Sequence, residues 1–361
     1  MENKIYLYSD VIKIFFDKEE IKEEYKLELE NCPVCNSKEV DIIFKHYNFY
    51  YNRCRRCSFV FTNPRLNDVG SHIWYNSDFY NAAVESEYYQ VKNGDRFFAS
   101  LNIEMFENVI KMVNKIDLGK DNSILEIGCG GGAFLEYISE KMNIGYLLGI
   151  DINEKAIDFA KNYRHLNVHK INANELKTDS KFDLLISMES IEHANDLSKF
   201  MSAIKHNLKN GGHVLITTPY NDRLATFLGG IWGDHYMAPN HINFFNMKSM
   251  RNLLERYHLD ILDFRIIKTP YRLGLVKDRI LNKRDWATSN PPKMVEHSIN
   301  IPKNKTNNAY YVKQIVNSEG SVLDLENKSV LMNRFKSSYN NLMKTLNIQW
   351  KTHMIILAKE K

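Results

Sequence analysis

The sequence of 361 residues lacks the features that mark membrane-spanning and exported proteins. No apolar run approaches the roughly 20 residues that a helix needs to cross a bilayer. Near the amino terminus, Asp10, Asp17, Glu19 and Glu20 lie in and close behind a short apolar run, which is not typical of a signal peptide. These absences predict a cytoplasmic protein without a membrane span.

Cysteine is also scarce, with five residues in the whole chain. Four of them form two Cys-x-x-Cys pairs, Cys32/Cys35 and Cys54/Cys57, separated by 18 residues. Two such pairs can present four thiolates to one ion, and four sulfur ligands favour zinc in a closed tetrahedral site. The pattern predicts a structural zinc ribbon with a hairpin between the pairs, in a reducing compartment. Two separate redox pairs are the alternative, but that interpretation leaves the matched spacing unexplained.

A large excess of either charge is absent as well. The formal net charge of +4 at pH 7 is too small to indicate nucleic-acid binding by itself. The exception is the segment 269–350, which contains 13 Lys and Arg residues but only 6 Asp and Glu residues. Its length exceeds that of an ordinary loop. We consider two interpretations, a solvated helical cap and a cover whose positive field attracts a phosphorylated ligand.

The chain does contain a glycine-rich turn between a strand-like and a helix-like segment. An apolar run that includes Glu126 leads into glycines at 128, 130, 131 and 132, and helical spacing of apolar residues follows from Phe134. Glycine allows positive φ or the close approach of a ligand. The helix amino terminus beyond the turn offers unpaired N–H groups and a positive dipole end to an anion. Dinucleotide-binding folds use similar turns, so the turn alone does not identify the ligand.

The run Glu-x-Gly-x-Gly-x-Gly, together with four later segments, resembles the motif series of the class I S-adenosylmethionine-dependent methyltransferases. The later segments are Gly149–Asn153, Lys170–Leu176, Phe182–His193 and Gly211–Pro219. The five motifs follow the family's order over about residues 100–268. The resemblance implies an α/β fold with a Rossmann-like seven-stranded sheet. Its last strand, near Thr352–Lys359, is expected to be antiparallel to the others.

The resemblance also implies S-adenosyl-L-methionine as cofactor. Residues expected to bind it are Glu126, Gly128, Gly130, Gly132, Asp151, Ile152, Asn172, Ala173 and Met188. Glu126 and the glycines are expected around the methionine part, and Asp151 is expected to accept hydrogen bonds from both ribose hydroxyls. Ile152 and Ala173 would flank adenine while Asn172 bonds its edge. Asn172 stands where an acidic residue is common in the family.

Candidates for acid–base chemistry lie in the loop after the fifth motif, Gly211–Pro219. A hydroxyl acceptor needs a general base near neutral pH, and histidine is the usual choice. We select His241 first and His235 second, while a structural role for His241 among Phe244 and Phe245 stays open. His193 is interpreted as structural, and no second metal site is expected.

The predicted organisation is a peripheral segment at 1–30, a zinc ribbon at 31–66, an aromatic lid or linker at 67–100 and a methyltransferase domain at 101–361. The domain carries the insertion 269–350 before its last strand. The leading hypothesis is methyl transfer to a small molecule, a nucleotide-linked or otherwise phosphorylated sugar of glycan or secondary-metabolite biosynthesis. One alternative is an RNA methyltransferase that uses the ribbon as a nucleic-acid grip, and the other is a non-catalytic cofactor-binding module. The sequence leaves the oligomeric state open.

Overall fold

The computed structural model describes residues 5–46, 48–81, 96–221, 238–267, 293–295 and 353–361. Its amino-terminal elements are β1 Ile5–Leu7, α1 Tyr8–Phe15, β2 Phe16–Asp17, β3 Glu20–Ile21, β4 Lys26–Leu27, β5 Val40–His46, β6 Phe49–Cys54, β7 Val60–Thr62, β8 Arg65–Leu66 and α2 Asp68–Tyr75. Of the basic segment 269–350, only residues 293–295 belong to the described part, as a strand that pairs with β1. The two interpretations of the segment 269–350, a helical cap and a positively charged cover, otherwise concern residues that lie outside the described part of the chain.

A second group of elements follows in chain order. They are α3 Arg96–Val113, β9 Ser123–Ile127, α4 Ala133–Lys141, β10 Tyr146–Asp151, α5 Glu154–Arg164, β11 Val168–Lys170, β12 Phe182–Met188, α6 Leu197–Asn207, β13 Leu208–Pro219, β14 Asn243–Phe244, α7 Met247–Arg256, β15 Leu259–Ile267, β16 Lys293–Val295 and β17 His353–Glu360. Short 3₁₀ turns lie at Ala173–Glu175 and Ile191–His193. None of the helices in the described ranges is long and apolar enough to span a bilayer.

The central sheet has seven strands in the order β11-β10-β9-β12-β13-β17-β15. Strands β9 to β13 pair in parallel, whereas β17 runs antiparallel between β13 and β15. The predicted sheet with its antiparallel last strand is therefore confirmed. Because the chain winds outward in both directions from β9 and β12, a crevice opens beyond the carboxyl ends of these two strands.

The glycine-rich turn connects β9 to α4 at that crevice. Gly128 and Gly132 have φ values of +75° and +76°, in the left-handed region that side chains disfavour. A Cβ atom at Gly128 would lie 2.1 Å from the hydroxyl oxygen of Ser190. Glycine is required at position 128 for both reasons, and the turn keeps its backbone close to the loop after β12.

A second sheet of four strands, in the order β14-β7-β6-β5, contains the predicted ribbon. Strands β5 and β6 form the expected antiparallel hairpin between the two cysteine pairs. The fourth strand, β14, comes from the loop after β13 and pairs with β7. Phe59 beside this hairpin packs against Phe245, with ring centroids 4.8 Å apart. The ribbon thus shares a sheet and a core with the segment that carries His241, while the domain boundaries themselves stay predictions.

Candidate active site

A cavity of about 610 Å³ lies beyond the carboxyl ends of the parallel strands. Its walls come from the glycine turn, from the loops after β10, β11 and β12, and from α2 and the segment before β14. Of the residues predicted to bind the cofactor, those that line it are Glu126, Gly128, Gly130, Asp151, Ile152, Asn172, Ala173 and Met188. Gly132 lies at the start of α4. His241 also lines the cavity, whereas His235 falls outside the described residues.

Glu126 places a carboxylate in the wall of this cavity with 3% of its surface exposed. Its Oε2 atom is buried and has no hydrogen-bond partner among the described residues. Burial, reinforced by the negative charge of Asp151, raises the pKa of Glu126 well above its ordinary value. A cationic ligand would relieve both effects, so Glu126 fits the positively charged methionine part of S-adenosyl-L-methionine.

Asp151 ends β10 with both carboxylate oxygens fixed by backbone donors. The N–H of Gly130 donates to Oδ2 and the N–H of Asn153 donates to Oδ1, each at 2.8 Å. Burial raises the pKa of Asp151, and these N–H bonds oppose the rise. Each oxygen has a second lone pair, which suits the paired hydroxyls of a ribose. The carboxylate also ties the glycine turn to β10, a role that the sequence did not indicate.

The predicted adenine side is built around the 3₁₀ turn Ala173–Glu175. The side-chain oxygen of Asn172 accepts from the N–H of Asn174 at 3.0 Å, so Asn172 caps this turn. The side-chain amide of Asn174 donates to Asp68 at 2.9 Å, and that of Asn195 donates to the same Asp68 oxygen at 3.0 Å. All four residues line the cavity. Sequence reasoning missed Asp68, Asn174 and Asn195, because their proximity arises only when α2 packs across two loops.

Part of the predicted aromatic lid also reaches the cavity. Tyr75 and Tyr80 line it and pack edge to face, with ring centroids 4.9 Å apart. The carbonyl of Tyr75 accepts from the side-chain amide of Asn153 at 2.5 Å, which joins α2 to the loop after β10. The lid aromatics Tyr88 and Tyr89 lie outside the described residues.

Glu192, His193 and His241 form a cluster of titratable groups in the wall of the same cavity, and the ring of Tyr75 lies 5.9 Å from that of His193. One potential ligand atom from each lies within 4.8 Å of the others. The imidazole rings of His193 and His241 have centroids 4.9 Å apart. The structural role of His193 and the expectation of no second metal site stay predictions, while these three side chains have the composition of a metal site. The adjacent residues Glu192 and His193 are the only part of this cluster that the sequence could indicate. His241 comes close to them because the segment before β14 packs against this turn.

Hydrogen bonds fix Glu192 and His193 within this cluster. The hydroxyl of Thr218 donates to Oε2 of Glu192 at 2.9 Å. Burial, with the nearby charge of Glu189, raises the pKa of Glu192 well above its ordinary value. Nδ1 of His193 lies 2.7 Å from the carbonyl oxygen of Asn240, which can only accept, so Nδ1 carries the proton. Burial lowers the pKa of His193, and the neutral ring presents an unprotonated Nε2.

Glu189 and His353 form a second charged pair in the cavity wall. Nε2 of His353 lies 3.1 Å from Oε2 of Glu189, whose other oxygen accepts from the hydroxyl of Thr217 at 2.8 Å. Burial raises the pKa of Glu189, but the charge of His353 outweighs it and lowers that pKa; the pKa of His353 is raised in turn. Glu189 has φ +45°, a strained backbone that fixes the direction of its side chain. Sequence reasoning missed His353, which enters the site from the antiparallel strand β17.

The four cysteines of the ribbon lie together away from this cavity. Sγ of Cys32 is 3.6 Å from Sγ of Cys57, and Sγ of Cys35 is 3.5 Å from Sγ of Cys54. All four sulfur atoms lie within 4.8 Å of one another. A tetrahedral zinc ion with bonds of about 2.3 Å would hold them about 3.8 Å apart. The hydrogen bond between Cys32 and Cys57 lowers the pKa of Cys32 to about 6 and raises the pKa of Cys57. The geometry fits a zinc module.

The seven-stranded sheet and the glycine turn at its switch point agree with the fold that is expected for S-adenosylmethionine-dependent methyltransferases. Residues 100–263 match the family described as "Methyltransferase domain". The match covers less than half of the chain, and this part of the chain is a methyltransferase domain.

Two curated relatives are bacterial enzymes named ubiquinone biosynthesis O-methyltransferase. The one from Pelagibacter ubique is 35% identical over 141 residues, which cover 36% of this chain and 57% of the relative. The one from Rickettsia bellii is 26% identical over 195 residues, which cover 51% of this chain and 76% of the relative. Among solved structures, a geranyl diphosphate C-methyltransferase from Streptomyces coelicolor is 14% identical with a TM-score of 0.44 over 73% of this chain and 81% of that one. This last likeness is too weak to support any inference about the acceptor.

Proposed function

We propose that this protein transfers a methyl group from S-adenosyl-L-methionine to a hydroxyl group of a small molecule. One observation carries the proposal: the Glu192–His193–His241 cluster shares a single cavity with the glycine turn, Glu126 and Asp151. The groups that we expect to bind the cofactor and to accept the proton therefore line one cavity of about 610 Å³. The names of the curated relatives, which are O-methyltransferases, support the same reaction type.

The reaction needs few groups from the protein. The acceptor oxygen attacks the methyl carbon, the carbon–sulfur bond breaks with its electron pair on sulfur, and the hydroxyl proton leaves. The protein's main contribution is to hold the two reactants in line. We assign removal of the hydroxyl proton to the cluster, with His241 as the predicted base and the unprotonated Nε2 of His193 beside it.

For the acceptor, we retain a phosphorylated or nucleotide-linked sugar as the specific hypothesis. Its support is the positive charge of segment 269–350, where 13 basic residues face 6 acidic ones. The names of the relatives do not refer to sugars, so this part rests on charge alone. The RNA alternative gains no support from the ribbon, since the guanidinium of Arg55 is paired with Asp41 at 2.7 Å.

We also propose that Cys32, Cys35, Cys54 and Cys57 bind one structural zinc ion. Four thiolates leave no open coordination position, so the role is to stabilise the ribbon. An organomercurial should release one zinc per chain from the wild type and none from Cys57→Ser, with Cys129→Ser behaving as the wild type. Because loss of a structural metal is among the largest destabilising changes, Cys57→Ser should lower the free energy of unfolding by more than about 4 kcal/mol. Unchanged zinc release from Cys57→Ser would contradict the assignment.

The proposed reaction can be tested with methyl-labelled cofactor and a cell extract divided into small-molecule and macromolecular fractions. We expect label to enter the small-molecule fraction in a product that releases the methyl group only under ether-cleaving conditions. Loss of labelling after phosphatase treatment would support the phosphorylated acceptor, and unchanged labelling would contradict it. Label in nuclease-sensitive material would replace the small-molecule proposal by the RNA alternative.

A further inference from the structure

Three potential metal ligands converge on the acceptor side of the cavity. Ligand atoms of Glu192, His193 and His241 lie within 4.8 Å of one another, and Oε1 of Glu192 is 4.0 Å from Nε2 of His193. Two atoms bound to one ion at about 2.1 Å lie about 3.0–4.2 Å apart. Shifts of less than about 1 Å would therefore bring all three side chains onto one ion.

The carboxylate of Glu192 supplies a second and independent sign of a missing partner. The side chain is buried, with 1% of its surface exposed. Thr218 satisfies Oε2, but Oε1 is buried and no described residue donates a hydrogen bond to it. A buried carboxylate oxygen without a partner is costly, and a bound cation would remove that cost. Oε1 is also the oxygen that faces Nε2 of His193.

His193 is oriented in the way that metal-binding histidines usually are. Its Nδ1–H donates to the backbone carbonyl of Asn240 at 2.7 Å, which fixes the tautomer and the direction of the ring. In the neutral ring Nε2 is then the nitrogen without a proton, and it lies 4.0 Å from Oε1 of Glu192. The N–H of Ile242 donates to the carbonyl of Glu192 at 3.0 Å, which holds the segment that carries His241 against the same turn.

We propose that Glu192, His193 and His241 bind a divalent transition-metal ion beside the cofactor. Two imidazole nitrogens and one carboxylate oxygen suit ions such as Zn²⁺ better than Mg²⁺ or Ca²⁺, which prefer oxygen ligands alone. Three protein ligands leave at least one coordination position open, in contrast to the closed four-cysteine site. The catalytic role of this ion rests on the proposed O-methyl transfer, in which it would activate the acceptor hydroxyl.

The open position faces the cavity that the cofactor shares, so it would hold the hydroxyl oxygen of the acceptor. A bound divalent cation lowers the pKa of water from about 16 to about 7, and a bound alcohol responds in the same sense. The hydroxyl gives its proton to solvent water, and the oxygen then attacks the methyl carbon. The carbon–sulfur bond breaks and its electron pair stays on sulfur. Glu192 and both histidines would act as ligands in this step, so the ion would replace His241 as the group that activates the hydroxyl.

The test is a count of bound metal that does not depend on activity. Full-length protein is equilibrated by dialysis with excess Zn²⁺, and zinc is measured per chain for the wild type, Glu192→Gln, His241→Asn and the control His206→Asn. His206 is exposed on α6. We expect two zinc ions in the wild type and the control, and one in Glu192→Gln and in His241→Asn. The second of these variants keeps the test valid if Glu192→Gln does not fold.

Two outcomes would overturn the metal site. One zinc per wild-type chain would leave only the cysteine site, and two zinc ions in both cluster variants would place the second ion elsewhere. Binding of S-adenosylhomocysteine by the same preparations, measured by calorimetry, tests the proposed function separately. If the protein binds S-adenosylhomocysteine but only one zinc ion, the proposed function stands and the second metal site is refuted. If it binds two zinc ions but no S-adenosylhomocysteine, the metal site stands and the proposed function is refuted.

Discussion

The guanidinium of Arg65 donates a hydrogen bond to the side-chain oxygen of Asn243 at 2.9 Å, inside a completely buried contact. Arg65 lies at the end of the ribbon segment 31–66, and Asn243 begins the strand β14 beside His241. The amide of Asn243 in turn donates to the carbonyls of Ile191 and Ala194, at 3.2 and 2.7 Å. These two residues flank Glu192 and His193. The ribbon is thereby connected to the acceptor side of the cavity through one side-chain pair.

Replacing Arg65 by lysine should weaken this connection. Arg65 is buried, no carboxylate in the described part of the chain forms an ion pair with it, and burial lowers its pKa to about 9. Its planar fork reaches Asn243 and the carbonyl of Thr62, which a single ammonium group cannot match. We expect Arg65→Lys to lower the free energy of unfolding by about 1–3 kcal/mol. Chemical denaturation measures the change, with the exposed Arg251→Lys as a control that stays within about 0.5 kcal/mol of the wild type. Equal stability of both variants would contradict the inferred role of the contact.

Gly128→Ala should impair cofactor binding more than it impairs folding. The added Cβ would meet Ser190 at 2.1 Å, and the φ value of +75° costs a side chain about 1–2 kcal/mol. The turn must shift, so we expect affinity for S-adenosylhomocysteine to fall about tenfold or more. Gly119→Ala is the matched control, because no atom of the described chain lies within 4 Å of its added Cβ. Calorimetric titration of both variants provides the comparison, and wild-type affinity in Gly128→Ala would show that the turn does not contact the cofactor.

His241→Ala should reduce turnover without loss of the cofactor. A group that removes the acceptor proton, directly or through a bound ion, typically contributes about two to four orders of magnitude to the rate. We therefore expect kcat to fall by about 10²–10⁴ while the affinity for S-adenosylhomocysteine stays near that of the wild type. His206→Ala, on the exposed face of α6, should retain full activity. A loss in His241→Ala below roughly tenfold would remove His241 from the mechanism.

Asp183 should make stability depend on pH. Burial raises the pKa of Asp183, but Lys209 at 2.8 Å and the N–H of Ser123 at 2.8 Å outweigh it and hold the pKa below its ordinary value. A carboxyl whose pKa is lower in the folded than in the unfolded chain stabilises the fold above the unfolded pKa. That contribution disappears as the pH falls through the folded pKa. Asp183→Asn should cost about 1 kcal/mol at pH 7 and less in acid. Chemical denaturation of the wild type and of Asp183→Asn, at pH 7 and at a pH below the folded pKa of Asp183, measures the two costs. An equal loss of stability at both would refute the electrostatic explanation.

The sequence predicted the cofactor half of the cavity better than the acceptor half. Glu126, the glycines and Asp151 lie within about 25 residues of one another, and local strand–turn–helix geometry is enough to bring them together. Apolar and polar residues also alternate along the strand β15, a pattern that is visible in the sequence. Its apolar positions Leu262 and Phe264, however, are 52% and 46% exposed, so alternation found the strand without showing which face is buried.

His193 and His353 show where sequence reasoning fell short. A histidine after an acidic residue is compatible with a structural role until its ring is seen 4.9 Å from that of His241. His353 could be placed on the last strand but not opposite Glu189, because the antiparallel insertion of β17 sets that register.

By itself, the sequence predicted the glycine turn and the four-cysteine module, because these depend on short spacings and on backbone requirements of glycine. The class of the protein and the seven-stranded sheet followed from the resemblance of five motifs to a known family. Only the tertiary structure decided that β14 joins the ribbon to the methyltransferase domain and that Glu192, His193 and His241 face one another. Those contacts join segments about 50 to 180 residues apart. Side-chain packing and buried hydrogen bonds select such pairings, and no local pattern in the chain records them.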